Sequence, residues 1–108
     1  MKVISQSIPK QKDLPNEDRW VVKSPVYAVA DGAGGTGILC GEWAGQVVTN
    51  LPSGLFADCT AFVAWLEPLA EEFIFQHVQM LQADNHQLKR FNQEGSACTL
   101  AVLWELPK

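Results

Sequence analysis

The stretch VYAVADGAGG, residues 26–35, decides how the rest of the chain is interpreted. Residues 26–30 are an apolar run typical of a strand, and Asp31 follows where that strand would end. The glycines after it permit backbone conformations that other residues rarely adopt. A carboxylate at such a position holds a metal ion or takes part in acid-base chemistry more often than it builds a core. The alternative is a glycine-rich turn that carries an exposed aspartate.

A predicted hairpin brings further carboxylates to the same place. Residues 19–23 (RWVVK) are rich in strand-forming side chains, and only two residues separate them from residue 26. A two-residue loop places Asp18 opposite Asp31, whereas a loop one residue longer places Glu17 there. Like charges opposite each other destabilise a sheet, and a cation between them would remove that penalty. The sequence therefore predicts a metal site at this end of the hairpin.

Length, composition and charge restrict the class of protein. The 108 residues suffice for one small domain, residues 1–108, and a chain with 47% hydrophobic and 19% charged residues is typical of globular proteins. The net charge of -4 argues against a nucleic-acid partner, because proteins that bind nucleic acids have a basic surface patch. No apolar run fits a signal peptide or a membrane span, so we expect a cytoplasmic protein without a membrane partner. The three cysteines are too few and too widely spaced for a disulfide framework, and we expect Cys59 and Cys98 to be buried thiols.

Two helical segments are predicted after the glycine-rich stretch. Residues 41–51 have apolar side chains at helical spacing, and a second helical region begins after Asp58, a good N-cap. Pro68 either kinks one long helix there or begins a new one. Further on, Asp84 and Gln87 have the spacing of a capping box.

The last predicted element is a strand. Residues 95–106 have a continuous apolar middle, which favours a central strand covered on both faces. The predicted fold class is therefore α+β, with a hairpin, two helical segments and a central strand.

Four motifs occur in a fixed order: NED at residues 16–18, DGAGG at 31–35, GEWA at 41–44 and GSACT at 95–99. This order resembles the N-terminal half of the metal-dependent type 2C (PPM-type) protein serine/threonine phosphatases, over residues 12 to 104. The resemblance implies part of a phosphatase-type β-sandwich flanked by helices. It also implies that the C-terminal half of the domain lies outside these residues.

The resemblance implies a role for each residue near the predicted metal site. Asp31 would bridge two Mn²⁺ or Mg²⁺ ions, and Gly32 would offer its carbonyl oxygen to one of them. Glu17 would ligate the same ion mostly through water, and Asp18 would orient either a metal-bound water or the neighbours of Glu17. The implied activity is hydrolysis of phosphoserine or phosphothreonine in a phosphorylated protein substrate, by water that the metals activate.

Two departures from the family pattern set limits on this interpretation. The family has an arginine that clamps the substrate phosphate where this chain has Asp13. Lys12 could hold a phosphate as a point charge, although it lacks the bidentate fork of arginine.

The family also takes further aspartates from its C-terminal half, so we expect an incomplete metal site. Self-association or a complementing C-terminal half would then be needed for activity. The alternative is a catalytically deficient phosphatase-like module that binds or regulates a partner.

A dinucleotide-binding domain is a second alternative. GAGGTG at residues 32–37 matches the pattern G-x-G-x-x-G after a strand. That interpretation predicts a parallel strand that ends in an acidic residue about 20 residues later. Asp58 lies near that position, but residues 51–54 (LPSG) before it are a poor strand. Because no lysine follows the glycines, a phosphate-binding P-loop is excluded.

Overall fold

The computed structural model describes residues 18–32 and 37–106. The described chain is α+β, as predicted, with three helices and one three-stranded antiparallel sheet. The elements in chain order are β1 (Asp18–Lys23), β2 (Val26–Gly32), α1 (Cys40–Thr49), α2 (Cys59–Leu81), α3 (Asn85–Glu94) and β3 (Cys98–Trp104). Within these ranges, no helix combines the length and hydrophobicity needed to cross a bilayer.

The hairpin of β1 and β2 has the shorter of the two predicted loops. Lys23 pairs with Val26 across the two loop residues, and at the other end Asp18 pairs with Asp31. The two-residue loop is thereby confirmed, and the register that would place Glu17 opposite Asp31 is wrong.

The third strand borders the described sheet and is not its central strand. The strand order is β1-β2-β3, with β3 antiparallel to β2, so β2 is the middle strand. Along β3 half-buried and exposed residues alternate, which shows that helices cover only one of its faces. The prediction of a central strand covered on both faces is therefore wrong, because a continuous apolar sequence does not by itself show that both faces are buried.

The inner face of the sheet packs on α1 through small side chains. Ala28 and Ala30 of β2 and Ala44 and Val48 of α1 form the buried cluster. Alanine at three of these four positions lets the helix backbone lie close to the sheet. This contact fixes α1 immediately beside the strand that ends in Asp31 and Gly32.

The opposite side, which we call the outer face, carries large apolar side chains that are exposed. Trp20 is 48% exposed, Val22 41%, Val29 51% and Leu103 58%. Directly paired residues of antiparallel strands point to the same side of a sheet, so the pairs Trp20 with Val29 and Val22 with Tyr27 place these side chains together.

The helix boundaries follow the capping signals. The Asp58 side chain accepts a hydrogen bond from the Ala61 N–H (2.8 Å), and α2 then continues through Pro68 as one helix, so no new helix begins at the proline. The Asp84 side chain accepts from the Gln87 N–H (3.1 Å) and caps α3. The Asp84 N–H donates a hydrogen bond to the Leu81 carbonyl oxygen, so the same residue also satisfies a carbonyl group at the end of α2.

Aromatic side chains join the start of α2 to the end of β3. The Phe56 ring lies 5.4 Å from Trp65 and 5.7 Å from Trp104, between ring centroids. The Trp104 indole N–H donates to the Pro52 oxygen (2.9 Å), which satisfies its polar atom within an apolar cluster. These contacts hold β3 in the sheet from the end opposite Asp31.

Candidate functional site

The candidate site lies where β1 begins and β2 ends. Asp18 and Asp31 are paired residues of the hairpin, so their side chains leave the sheet on the same side, the outer face. Asp31 is exposed and Asp18 is half-buried. Side chains directly opposite in an antiparallel pair have Cβ atoms about 5 Å apart. Two carboxylates at this separation repel each other and form a ready pair of ligands for a hard cation.

The neighbouring strand adds a hydroxyl group to this pair. Thr99 of β3 pairs with Asp31 from the other side and is exposed, so it lies on the outer face next to the carboxylate. Gly32, the last residue of β2, is buried and pairs with Cys98. Three adjacent strands therefore contribute Asp18, Asp31 and Thr99 to one row across the sheet.

Arg19 provides the nearest described cation in sequence, but it belongs to the inner face. Its guanidinium donates a hydrogen bond to the Asp18 carbonyl oxygen (2.9 Å). Its side chain also packs over α1, where its Cγ and Nε lie 3.7 Å from the position that a Cβ on Gly45 would occupy. A methyl group at residue 45 would make only ordinary van der Waals contact there, so the arginine packs over this part of α1 and holds the start of β1 against the helix.

The segment that precedes α1 is tied to the start of β3. The Ile38 N–H donates to the Gly95 oxygen (2.9 Å), and the Ser96 hydroxyl donates back to the Ile38 oxygen. The Arg90 guanidinium donates to the Gly37 oxygen (2.9 Å). Gly37 has a φ of +85°, and a Cβ there would lie 2.9 Å from the Gly95 oxygen, so only glycine fits without displacement. The motif at residues 95–99 thus anchors the chain that leaves the predicted metal site.

Two of the three cysteines lie beside this anchor. Cys40 is buried, and its Sγ accepts a hydrogen bond from the Ala97 N–H at 3.5 Å. Cys98 is half-buried, and its pKa is raised by burial and, second, by the neighbouring Cys40 thiol. Cys59 is exposed at the start of α2, so the prediction that it is buried is wrong. Cys59 is the first residue of α2, and the local sequence does not show whether its side chain points toward the core or toward solvent.

A cavity of about 370 Å³ lies between the three helices, and its lining does not include Asp18, Asp31 or Thr99. Trp43, Phe73 and Phe91 form its aromatic walls, and Ser96 contributes a polar edge. Of the predicted site residues that the structure describes, Asp18, Asp31 and Gly32, none lines this cavity.

The structure brings together part of the predicted site. Asp18 and Asp31 lie opposite each other, and Gly32 follows at the end of the same strand. Glu17 and Lys12 lie outside the described residues. Within residues 18–32 and 37–106, no group of three or more His, Cys, Asp or Glu side chains is placed to hold a metal ion. The described part of the site therefore offers two carboxylates, which suits an ion that retains several water ligands, as Mg²⁺ does.

Sequence reasoning missed Thr99 as a member of this row. The motif GSACT drew attention to the region, but its register against β2 depends on pairing between residues far apart in sequence. No local signal in the sequence could have placed this hydroxyl beside Asp31.

Comparison with family models, with curated proteins and with solved structures found no match to this chain.

The fold itself bears on the dinucleotide-binding alternative. Asp58 caps a helix instead of ending a strand, and every strand pairing in the described sheet is antiparallel. The described residues therefore lack the parallel strand that this alternative requires.

Proposed function

We propose that this chain is a metal-dependent phosphatase module that acts on phosphoserine or phosphothreonine in proteins, with Mn²⁺ or Mg²⁺ as its cofactor. The observation that carries the proposal is the direct pairing of Asp18 with Asp31 at the open end of the hairpin. Like charges directly opposite each other destabilise a sheet, and a cation bound between the two carboxylates would remove that penalty. A cytoplasmic location belongs to the same proposal.

The residues present fit a hydrated divalent cation. Mg²⁺ is commonly held by one or two carboxylates with water in its remaining positions, and Mn²⁺ also accepts carboxylate and water oxygens. Asp31 would contribute the exposed carboxylate and Asp18 the half-buried one. Gly32 and Glu17 remain predicted ligands, and Lys12 a predicted phosphate contact.

The proposed chemistry divides between the cofactor and the chain. When bound, divalent cations supply the positive charge that activates water for attack on a phosphomonoester. Asp18 and Asp31 hold their two carboxylates in a fixed relation because the hairpin ladder sets the register of the strands that carry them. Thr99 pairs with Asp31 across the sheet, and its hydroxyl would donate a hydrogen bond to the Asp31 carboxylate or to a phosphoryl oxygen of the substrate.

A partner-binding module without catalysis is the second candidate. It is favoured by Asp13, which replaces the phosphate-clamping arginine of the resembled family, and by the lack of a third acidic ligand among the described residues. In this alternative the same row would bind a cation or a partner without hydrolysis.

Calorimetric titration with Mn²⁺, together with turnover of p-nitrophenyl phosphate in the same samples, separates these candidates. We expect Mn²⁺ binding that Asp31→Asn abolishes and that Glu72→Gln leaves unchanged. Glu72 is an exposed helix residue, so its variant makes the same change in net charge away from the site. Turnover that depends on Asp31 supports the enzyme, binding without turnover supports the module, and no binding contradicts the metal site.

Self-association, or a complementing C-terminal half, stays a prediction of the proposed function. The exposed apolar residues of the outer face are in keeping with it, since large exposed apolar patches commonly mark contact surfaces. Light scattering during the Mn²⁺ titration measures the molar mass. A monomer that turns over substrate would show that the chain needs no second copy.

A further inference from the structure

Two thiols from distant parts of the sequence meet behind the sheet. Cys40 is the first residue of α1, and Cys98 is the first residue of β3. The Cys40 Sγ lies 3.5 Å from the backbone nitrogen of Ala97, the residue immediately before Cys98. The Cys98 side chain is on the inner face and packs against the cluster that contains Ala44, one helical turn after Cys40. The two side chains therefore occupy the same contact between helix and strand.

We propose that Cys40 and Cys98 form a dithiol pair that a low-molecular-weight disulfide converts to an intramolecular disulfide. A disulfide requires Cα atoms about 4.4–6.8 Å apart with side chains directed toward each other. The contact between the Cys40 sulfur and the backbone next to Cys98, with the Cys98 side chain on the same inner face, makes the two cysteines neighbours in the folded chain. The third cysteine, Cys59, is exposed at the start of α2, so it lies outside this contact between α1 and β3.

The order of the reaction follows from the exposure of the two thiols. Cys98 is half-buried and accessible to a reagent, whereas Cys40 is 1% exposed. The Cys98 thiolate attacks one sulfur of the small disulfide, and the first small thiol leaves. The Cys40 thiolate then attacks the Cys98 sulfur of the mixed disulfide, and the second small thiol leaves. Two protein thiols are oxidised, and one small disulfide is reduced to two thiols.

The crosslink would lie next to the end of the sheet that carries the predicted metal site. Cys98 pairs with Gly32, and Cys40 begins the helix that follows the glycine-rich stretch. A bond between the two cysteines would therefore link the start of α1 covalently to the strand that pairs with Gly32. An effect of oxidation on Mn²⁺ affinity rests on the proposed function, whereas formation of the crosslink does not.

The test uses the full chain with Cys59→Ser, which removes the exposed thiol and leaves the pair intact. The folded protein is incubated with oxidised glutathione, and mass spectrometry and a thiol titration follow the products. We expect a monomer that is lighter by two hydrogen atoms, with no free thiol, and a peptide map that joins residues 40 and 98. Cys40→Ser in the same background provides the matched control, in which a stable mixed disulfide at Cys98 is expected instead.

Other outcomes would overturn the proposal. A mixed disulfide that persists at Cys98 when Cys40 is present would show that Cys40 does not reach it. A crosslink that forms only in denaturant would show that the folded geometry does not favour the pair. Because neither measurement involves a metal ion, failure of the crosslink is distinguishable from failure of the proposed phosphatase function.

Discussion

Replacement of Asp31 by asparagine should stabilise the protein when no metal is present. Asp31 faces Asp18 across the hairpin, and asparagine keeps the shape of the side chain while it removes one of the two charges. At a charge separation of about 6 Å, Coulomb's law in water gives a repulsion of about 0.7 kcal/mol. This value lies within the range of about 0.2–1 kcal/mol for cross-strand pairs.

The salt dependence identifies the origin of this effect. The Debye length falls from about 30 Å at 0.01 M to about 3 Å at 1 M ionic strength, so the repulsion falls from about 0.6 to about 0.1 kcal/mol. For a domain of this size, 1 kcal/mol corresponds to about 4–8 °C in Tm. We therefore expect Asp31→Asn to raise Tm by about 3 °C at low salt and by less than about 1 °C at high salt.

Thermal melts followed by circular dichroism, with a chelator present, measure this difference. Glu72→Gln is the control, because the glutamine retains the Oε1 that accepts a hydrogen bond from Gln76. With Mn²⁺ at about 100 times its Kd, the wild type should gain about 2.7 kcal/mol and become the more stable of the two proteins. A loss of stability in Asp31→Asn without metal, or a gain that salt does not reduce, would refute the argument that these carboxylates repel each other.

Three further predictions concern other parts of the fold. Gly37→Ala should cost about 1–3 kcal/mol of unfolding free energy in a urea titration, because its Cβ meets a backbone oxygen at 2.9 Å and its φ is positive. Gly54→Ala, which has no atom within 4 Å of the new Cβ, should change stability by less than about 0.5 kcal/mol, and equal losses would contradict the steric argument. Asp58→Ala should cost about 1 kcal/mol in the same assay through loss of the α2 cap, so unchanged stability would show that the cap is dispensable. Burial and the Cys40 thiol raise the pKa of Cys98, so less thiolate is present at neutral pH, and its alkylation by iodoacetamide should reach half its maximal rate at a higher pH in the folded chain than in the urea-unfolded chain. Equal midpoints in a mass-spectrometric pH profile would contradict this expectation.

Local sequence signals determined the hairpin and the helix starts. The short spacing between RWVVK and the run that begins at Val26 predicted the hairpin and limited it to two registers, of which the structure has the one that pairs Asp18 with Asp31. The aspartates at positions 58 and 84 marked the first turns of α2 and α3 because their side chains satisfy N–H groups only a few residues away. Such interactions depend on neighbours in sequence, and a single sequence contains them fully.

Only the tertiary structure decided where β3 lies. Its apolar residues suit a strand buried on one face or on both, and the alternation of exposure along it appears only once α1 covers one side. The pairing of Thr99 with Asp31, and of Cys98 with Gly32, joins segments separated by most of the described chain. Contacts of this kind form because packing brings distant residues together, and no periodicity within either segment specifies its partner.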